Sequence, residues 1–188
     1  MAWTAVRSGA VDCALTLGFD QMESGALKEY WPDRISPMKD FRERIDEIDG
    51  KEFDKRTQVI RMFAAAGKEH SKKYGTKFDT FAKIAEKNHK HASKNKNALF
   101  QKVFTLDEIK KSRMIHWPET LLSCSPNANG AAAAVLCSEE FVKKHGLEDQ
   151  AVEIKHMSLQ TDTPQTFNGS AADLVGKSMA QRAAKECY

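Results

Sequence analysis

The sequence has no long hydrophobic run and no signature of the common nucleotide-binding loops. No apolar stretch reaches the roughly 18 consecutive residues of a transmembrane helix, so we expect no membrane span. There is no Walker-type loop and no Gly-x-Gly-x-x-Gly motif, which leaves nucleotide sites of those kinds unsupported. The first residues lack the apolar segment of a secretory signal, and we recognise no targeting sequence in the chain.

Closely spaced cysteines are also missing. The four cysteines are Cys13, Cys124, Cys137 and Cys187, and no Cys-x-x-Cys pair occurs among them. Disulfide frameworks and structural zinc sites show closer, repeated spacing, so we predict reduced, buried thiols in an intracellular protein. Cys124 stands on a bend before Pro126, where a nucleophile could be presented. The alternative, which we prefer, is a buried structural cysteine.

Positive charge is concentrated in the middle of the chain. The 188 residues are 41% hydrophobic and carry a net charge of +3, which is compatible with one domain or slightly more. Between Lys51 and His116, however, 17 Lys or Arg residues stand against 7 Asp or Glu residues. Such a segment attracts an anionic partner or forms a solvated face.

The first part of the chain predicts a helix, a strand and an irregular segment. Ala2–Ser8 predicts a short helix that ends at Gly9, and Cys13–Phe19 predicts a buried strand. Asp20–Phe53 mixes glycines and prolines with scattered aromatics, so we expect at most short helical turns there. Arg56–Lys73 has helical periodicity.

Two capping-box patterns predict the next helices. Thr76 with Asp79 precedes an apolar face, and Thr105 with Glu108 opens a shorter helix. The apolar face of the longer helix consists of Phe78, Phe81, Ala82, Ala85, His89 and Ala92. The opposite side of that helix carries Lys77, Lys83, Lys87, Lys90 and Lys94.

Residues 120–140 form the junction between this basic region and the rest of the chain. A turn-forming segment leads into a run of small apolar residues, which predicts a loop, a buried strand and a helix cap at Ser138. After it we predict a helix over Glu139–His145, a half-buried strand over Val152–Leu159 and a last helix over Ser170–Tyr188.

The histidines and lysines suggest two further hypotheses. His89 and His91 lie two residues apart on a helix and so point in different directions, and no other ligand stands at metal-binding spacing. We therefore predict no metal site, and we interpret His70 and His116 as ordinary surface or core residues. The lysine face allows a nucleic-acid-binding helical protein, but no aromatic is interleaved among the lysines. We expect no nucleic-acid partner.

Several segments together resemble the thiolase superfamily, specifically thiolases of the sterol carrier protein x type. Residues 14–22 (ALTLGFDQM) resemble a core strand of the first half of that fold. Residues 66–76 (AGKEHSKKYGT), 81–84 (FAKI) and 88–95 (NHKHASKN) resemble its loop domain. Residues 121–126 (LLSCSP) and 130–134 (GAAAA) resemble the return into the last strand of that half.

The resemblance implies an α/β protein with a partial thiolase fold, an incomplete layered α/β/α core with a mainly helical insertion. It places the end of the N-terminal half at residues 1–22 and the coenzyme A-binding loop domain at 23–119. The last strand and helix of that half follow at 120–150, and the start of the C-terminal half at 151–188. On this template the chain is an internal fragment, which lacks the nucleophilic cysteine and the later histidine and cysteine. We therefore name no catalytic residue and expect the chain alone to be inactive.

The activity implied by the resemblance is acyl transfer between 3-oxoacyl-CoA and coenzyme A in β-oxidation. By the family pattern Ser125 contacts the pantetheine arm of coenzyme A, and Met62 lines the acyl or pantetheine pocket. The basic loop domain offers lysines to the phosphates. Coenzyme A is a substrate here, and no cofactor is covalently bound.

The resemblance also implies a homodimeric full-length protein and a peroxisomal location, with the cytoplasm as the alternative. A non-catalytic module that binds coenzyme A, acyl-CoA or lipid remains a second hypothesis for function. We also expect poor solubility or rescue by a partner, because an incomplete sheet leaves edges and apolar faces uncovered.

Overall fold

A computed structural model describes residues 1–22, 33–51 and 58–188. These residues divide into two compact units. The first unit contains the described residues up to 22 together with Asn127–Met157, and the second contains the described residues from 33 to Pro126 together with Ser158–Tyr188. The four-part domain division expected from the resemblance stays a prediction.

The first unit is built on two antiparallel strands. Helix α1 (Ala2–Arg7) precedes strand β1 (Cys13–Asp20), and β1 pairs along its whole length with β4 (Gly130–Cys137). Gly9 has φ 74°, a left-handed conformation that favours glycine, so the predicted stop of α1 is confirmed. Ser138 caps helix α6 (Glu139–Lys144) by accepting the backbone N–H of Phe141 at 3.2 Å, as the sequence predicted.

The prediction that β1 and β4 are buried strands is wrong for this structure. Leu15, Leu17 and Phe19 are 69%, 66% and 78% exposed, and Val135 is 63% exposed. Alternate residues of a strand point to the same side, and directly opposed residues of a pair do so too. These four residues therefore form one apolar face. No further strand joins the pair within the described ranges, so both of its edges are open there.

The predicted strand over Val152–Leu159 is also wrong. These residues have no regular secondary structure, and Val152 and Leu159 are 90% and 84% exposed. The alternating pattern of the segment is real, but a strand needs a neighbouring strand to satisfy its backbone N–H and C=O groups. A short 3-10 turn (Glu148–Gln150) precedes this segment.

The second unit contains a helix that the sequence analysis missed. Helix α2 (Lys39–Asp49) lies inside the segment expected to hold only short turns. Residues 23–32 and 52–53 of that segment lie outside the described residues. Helix α2 packs on α3 (Gln58–Tyr74) and α7 (Ala171–Leu174) around a core made of Ile45, Met62, Ala65, Ala171 and Leu174.

Helices α3 and α4 follow the predicted periodicity, but the first capping box does not form. Gly75 ends α3 with φ 69°, as predicted. Helix α4 (Phe78–Ala92) begins after Lys77, which makes no side-chain cap. The Thr76 hydroxyl instead lies 2.9 Å from Nδ1 of His70, and Asp79 pairs with Lys110 at 2.6 Å. The reciprocal bonds of a capping box are therefore unavailable.

The second capping box is confirmed and supports a small second core. Thr105 caps helix α5 (Leu106–Lys111), accepting from the backbone N–H of Glu108, whose side chain accepts from the N–H of Thr105. Behind it Ala82, Ala85 and Ile109 form a buried cluster. The five lysines on the other side of α4 are exposed, as predicted.

The last helix is divided in two. Helix α7 ends at Leu174, and α8 (Lys177–Cys187) begins after Gly176, which has φ 95°. The predicted single helix over Ser170–Tyr188 is therefore wrong, because this left-handed residue interrupts it. A 3-10 turn (Pro164–Phe167) precedes α7. None of the described helices combines the length and the hydropathy that crossing a membrane requires.

Candidate functional site

Ser125 follows a turn that is closed by its own side chains. Strands β2 (Met114–His116) and β3 (Glu119–Thr120) form a hairpin, and a 3-10 turn (Leu121–Ser123) continues from it. The Ser123 hydroxyl accepts the backbone N–H of Thr120 at 2.8 Å and lies 2.7 Å from a carboxylate oxygen of Glu119. Ser125 itself is exposed, so its hydroxyl is open to a ligand at the end of an ordered turn.

Two helices hold this turn from behind. His89 on α4 has Nε2 2.8 Å from the carbonyl oxygen of Leu122, and its ring lies edge-on to Phe104 with centroids 4.8 Å apart. The backbone N–H of Leu122 donates to the hydroxyl of Ser112 at 3.3 Å. Since Ser112 directly follows α5, the segment that leads to Ser125 is tied to both α4 and α5.

Cys124 has the environment of a structural thiol. It is half-buried, and its Sγ donates to the carbonyl oxygen of Thr120 at 3.3 Å. Burial, together with the negative charge of Glu119, raises the pKa of the Cys124 thiol above its usual value. A nucleophilic cysteine needs the opposite shift, because the thiolate is the reactive form. The geometry therefore supports the structural interpretation of Cys124.

Met62 lies in the core of the second unit. It is 5% exposed and packs among Ile45, Ala65, Ala171 and Leu174. Its neighbour Arg61 is buried, forms a salt bridge to Asp46 at 2.7 Å and donates to the carbonyl oxygens of Ile45 and Gly50. Met62 and Ser125 thus belong to different parts of the unit, one between α2, α3 and α7 and one beside α4 and α5. Their ligand contacts stay predictions.

The structure has a hollow at the C-terminal end of α3 that was not predicted from the sequence. Its volume is about 340 Å³. It is lined by Glu69, His70, Lys73, Tyr74, Ala172 and Lys177. The spacing of His70, Lys73 and Tyr74 at i, i+3 and i+4 is the signal that predicts a shared helix surface.

The charges around this hollow are not equivalent. The carboxylate of Glu69 is engaged at the start of α7, where it accepts from the hydroxyl of Ser170 at 2.8 Å and from the N–H of Ala171 at 2.7 Å. The ring of Tyr74 lies 4.7 Å from that of His70, and the ammonium of Lys73 stands 5.3 Å from the Tyr74 centroid. The hollow therefore combines a flat aromatic surface with basic side chains.

The remaining histidines do not assemble a metal site. His91 is exposed while His89 is bound to Leu122, and no group of three or more potential metal ligands occurs within residues 1–22, 33–51 and 58–188.

Comparison with known proteins identifies relatives along almost the whole chain. No family model matches it. Sterol carrier protein 2 of Oryctolagus cuniculus is 45% identical over 185 residues, which are 97% of this chain and 33% of that protein. Acetyl-CoA acetyltransferase of Methanothermobacter thermautotrophicus is 29% identical over 143 residues, 75% of this chain and 36% of that protein. The chain thus spans about a third of the length of these curated relatives.

A solved structure shares the fold. A chain described as Ltp2-ChsH2(DUF35) aldolase superposes with a TM-score of 0.58 over 74% of this chain and 34% of that chain, at 22% identity. At this identity the similarity shows the fold alone. The chain therefore has the mixed helix and strand fold of part of that protein, and its sequence relatives are sterol carrier protein 2 and, more distantly, thiolase-type acyltransferases.

Proposed function

We propose that this chain is the coenzyme A-binding part of a thiolase-related protein that handles 3-oxoacyl-CoA substrates. One observation carries the proposal: the chain is similar to sterol carrier protein 2 over 97% of its length and to an acetyl-CoA acetyltransferase over 75% of it. As its name states, an acetyl-CoA acetyltransferase uses a coenzyme A thioester. The segment of this chain that is similar to it includes the basic helical region.

The exposed hydroxyl of Ser125 is the proposed contact for the pantetheine arm. A hydroxyl both donates and accepts, which suits the amide groups of pantetheine. The bonds from His89 and Ser112 to Leu122 limit the movement of the chain just before it. Such support keeps a binding residue oriented before the ligand arrives, which lowers the entropic cost of binding.

Met62 has a different proposed role. Since it is 5% exposed, it offers little free surface to a ligand. It would shape the wall of an acyl or pantetheine pocket from within the core. A smaller side chain at this position would change the pocket only by leaving a cavity behind the wall.

The hollow on α3 is the proposed contact for the nucleotide end of coenzyme A. Lys73 and Lys177 are exposed and have no carboxylate within salt-bridge distance among the described residues. Ammonium groups attract phosphates, and the exposed ring of Tyr74 provides a surface on which a purine can stack. Glu69 also lines the hollow and keeps its negative charge, but its carboxylate oxygens accept hydrogen bonds from Ser170 and Ala171 at the start of α7. Asp173 lies close enough to Lys177 for their opposite charges to interact.

The proposed role is binding and not covalent catalysis. Thiolysis requires a cysteine of low pKa that accepts the acyl group. Burial raises the pKa of both Cys124 and Cys137, and for Cys137 the hydrogen bond to Cys13 acts in the same direction. We expect the 188-residue chain to bind coenzyme A without turning over acetoacetyl-CoA, and turnover above background would contradict this assignment.

Calorimetry with coenzyme A, dephospho-coenzyme A and pantetheine tests the proposal. We expect heat with coenzyme A, weaker binding of dephospho-coenzyme A, and a salt dependence that pantetheine lacks. Ser125→Ala should weaken all three ligands by about tenfold, the effect of one lost hydrogen bond. The control Ser93→Ala, a half-buried serine at the end of α4, should leave binding unchanged. Absence of heat with every ligand would overturn the proposal.

A second candidate function is lipid transfer by a non-catalytic module. The name of the relative, sterol carrier protein 2, favours it, and the apolar face of β1 and β4 offers a surface for a hydrocarbon chain. Movement of a fluorescent sterol between vesicles separates the two candidates. Transfer without coenzyme A binding supports this second function, and coenzyme A binding without transfer supports the first.

We further propose a peroxisomal location and a homodimeric full-length protein, both supported by the family resemblance. Microscopy of the full-length protein with a peroxisomal marker tests the first proposal. Light scattering of the purified full-length protein tests the second, since a monomeric mass would contradict it.

A further inference from the structure

Two cysteines face each other at one end of the β1 and β4 pair, and no step of the proposed function uses them. Cys13 and Cys137 are direct partners in the antiparallel register, and their Sγ atoms lie 3.5 Å apart. Both are free thiols, with Cys13 exposed and Cys137 half-buried. The prediction of buried thiols is wrong for Cys13 and Cys187, which are exposed. The pairing of Cys13 with Cys137 is not visible in the sequence, because the two residues are 124 positions apart.

The backbone around the pair has the geometry that a cross-strand disulfide needs. The backbone N–H of Ser138 donates to the carbonyl oxygen of Asp12 at 2.8 Å, one position further along the same register. Hydrogen-bonded and non-hydrogen-bonded positions alternate in an antiparallel pair, so Cys13 and Cys137 occupy a non-hydrogen-bonded position. Opposed Cα atoms at such positions are about 4.5 Å apart, which lies within the range of disulfides.

We propose that Cys13 and Cys137 form a reversible oxidation site that closes to a cross-strand disulfide when the protein meets a peroxide. The Cys13 sulfur attacks one peroxide oxygen, so that an S–O bond forms and the O–O bond breaks. The other oxygen leaves as water with the thiol proton, and Cys13 becomes a sulfenic acid. The Cys137 sulfur then loses its proton and attacks the Cys13 sulfur, displacing a second water. Two thiols are oxidised to one disulfide, and one hydrogen peroxide is reduced to two waters.

The exposure and the spacing of the two thiols indicate the order in which they react. Cys13 is the more exposed thiol and meets the oxidant first. Burial and the hydrogen bond to Cys13 raise the pKa of Cys137, which disfavours its reactive thiolate form, so Cys137 is assigned as the second thiol to react. Cys124 has a carbonyl oxygen and no second sulfur next to it. Exposed disulfides between strands are readily reduced, so a dithiol reopens the pair.

Closing the bond changes the stability of the chain. The two residues are separated by 124 positions in the sequence. A covalent link between them removes conformational freedom from the unfolded chain, which stabilises the folded state. The oxidised protein should therefore unfold at a temperature several degrees higher than the reduced protein.

Peptide mapping after peroxide treatment tests the site, but Cys124 must first be replaced. Trypsin leaves Cys13 in the peptide of residues 8–28, whereas Cys124 and Cys137 share the peptide of residues 114–143. The experiment therefore uses the full chain with Cys124→Ser, treated with hydrogen peroxide, alkylated and digested without reductant. Matched chains carry Cys13→Ser, Cys137→Ser or Cys187→Ser in addition.

We expect a linked pair of residues 8–28 and 114–143 that dithiothreitol separates. The link should be lost with Cys13→Ser or Cys137→Ser and kept with Cys187→Ser. A link to Cys187, a link between two molecules, or free thiols at both positions after peroxide treatment would overturn the proposal. The wild-type chain, melted after incubation with and without peroxide, gives a second measurement that needs no variant, and an unchanged midpoint would also contradict the proposal.

Discussion

At the scale of single residues, His89 connects the basic helix to the proposed binding turn. Its Nε2 lies 2.8 Å from the carbonyl oxygen of Leu122, and its ring packs on Phe104. The sequence placed His89 on the apolar face of its helix, and this placement is confirmed because the residue is half-buried. Its partner, however, lies 33 positions away, so no local pattern reveals the contact.

We expect His89→Ala to destabilise the chain by about 1–2 kcal/mol, the net value of one buried hydrogen bond and its contacts. Urea unfolding measures this change. His91→Ala is the matched control, because His91 is exposed on the same helix, and it should change stability by less than about 0.5 kcal/mol. Equal effects of the two substitutions would contradict the role assigned to His89.

The sequence predicted only part of the candidate site. Ser125 follows from the family resemblance and is exposed, as a contact residue should be. Met62 follows from the same resemblance and is buried in the core. A sequence pattern does not separate a side chain that lines a pocket from one that fills the core behind it, since both are apolar and both recur at helical spacing.

At the scale of elements, the two capping-box patterns show how local rules compete with tertiary contacts. Thr105 forms its box with Glu108, whereas Asp79 pairs with Lys110 and the box with Thr76 is lost. The two patterns differ in the sequence, since the first has Asp79 where the second has the longer Glu108 of a standard capping box. They differ in the structure too, because α4 begins after Lys77 and Asp79 is paired with Lys110 on α5.

The capping difference gives a paired prediction. Thr105→Ala should lower the free energy of unfolding by about 1 kcal/mol, the usual value of an N-cap. Thr76→Ala should have a smaller effect, since Thr76 only meets the exposed His70. Chemical unfolding of the two variants side by side checks the prediction, and a larger loss with Thr76→Ala would refute the assignment of the caps.

A further element-scale prediction concerns acid. Burial opposes ionisation of Asp173, but hydrogen bonds from Gln165 and Asn168, each 3.0 Å long, act together with the positive charge of Lys177 and the backbone N–H of Ser178 and lower the pKa of its carboxyl group. A carboxyl group whose pKa is lowered in the folded state stabilises the protein at pH values above the ordinary aspartate pKa. This contribution to stability is lost as the pH falls through the lowered pKa. Asp173→Asn should therefore flatten the loss of stability below about pH 4. Thermal melts from pH 6 to pH 2 measure this, and an unchanged acid slope would contradict it.

Helix α2 and the segment Val152–Leu159 show where sequence patterns failed. Met38, Phe41, Ile45 and Ile48 form a regular apolar stripe on α2 that faces α3 and α7. The neighbouring Pro37 and Gly50 suggested an irregular segment, yet they stand at the two ends of this helix. For Val152–Leu159 the pattern predicted a strand that does not form, because an alternating pattern cannot supply the neighbouring strand that a sheet requires.

At the scale of the whole molecule, the open strand pair governs how the isolated chain behaves. Leu15, Leu17, Phe19 and Val135 form an exposed apolar face on β1 and β4. Contiguous apolar surface and unpaired strand edges promote association. The expected poor solubility of the chain stays a prediction, and the structure gives it a physical basis.

Phe19→Thr should raise the solubility of the chain, because it removes apolar surface and keeps a residue that favours strands. Its melting temperature should change little, since Phe19 is 78% exposed. Leu136→Thr is the control, because Leu136 is half-buried and lies on the opposite side of the strand pair, and this substitution should lower the melting temperature. Light scattering during heating measures aggregation, and circular dichroism over the same temperature range gives the melting temperature. Equal aggregation of wild type and Phe19→Thr would contradict the account.

The central claim is that the second unit, which contains the basic helical region, binds coenzyme A. Backbone amide chemical shifts of the labelled 188-residue chain, followed by NMR during a coenzyme A titration, test it most directly. We predict shift changes that saturate and concentrate near Ser125, at the end of α3 and at the start of α8, with little change in β1 and β4. No shift change at millimolar coenzyme A, or changes confined to β1 and β4, would contradict the claim.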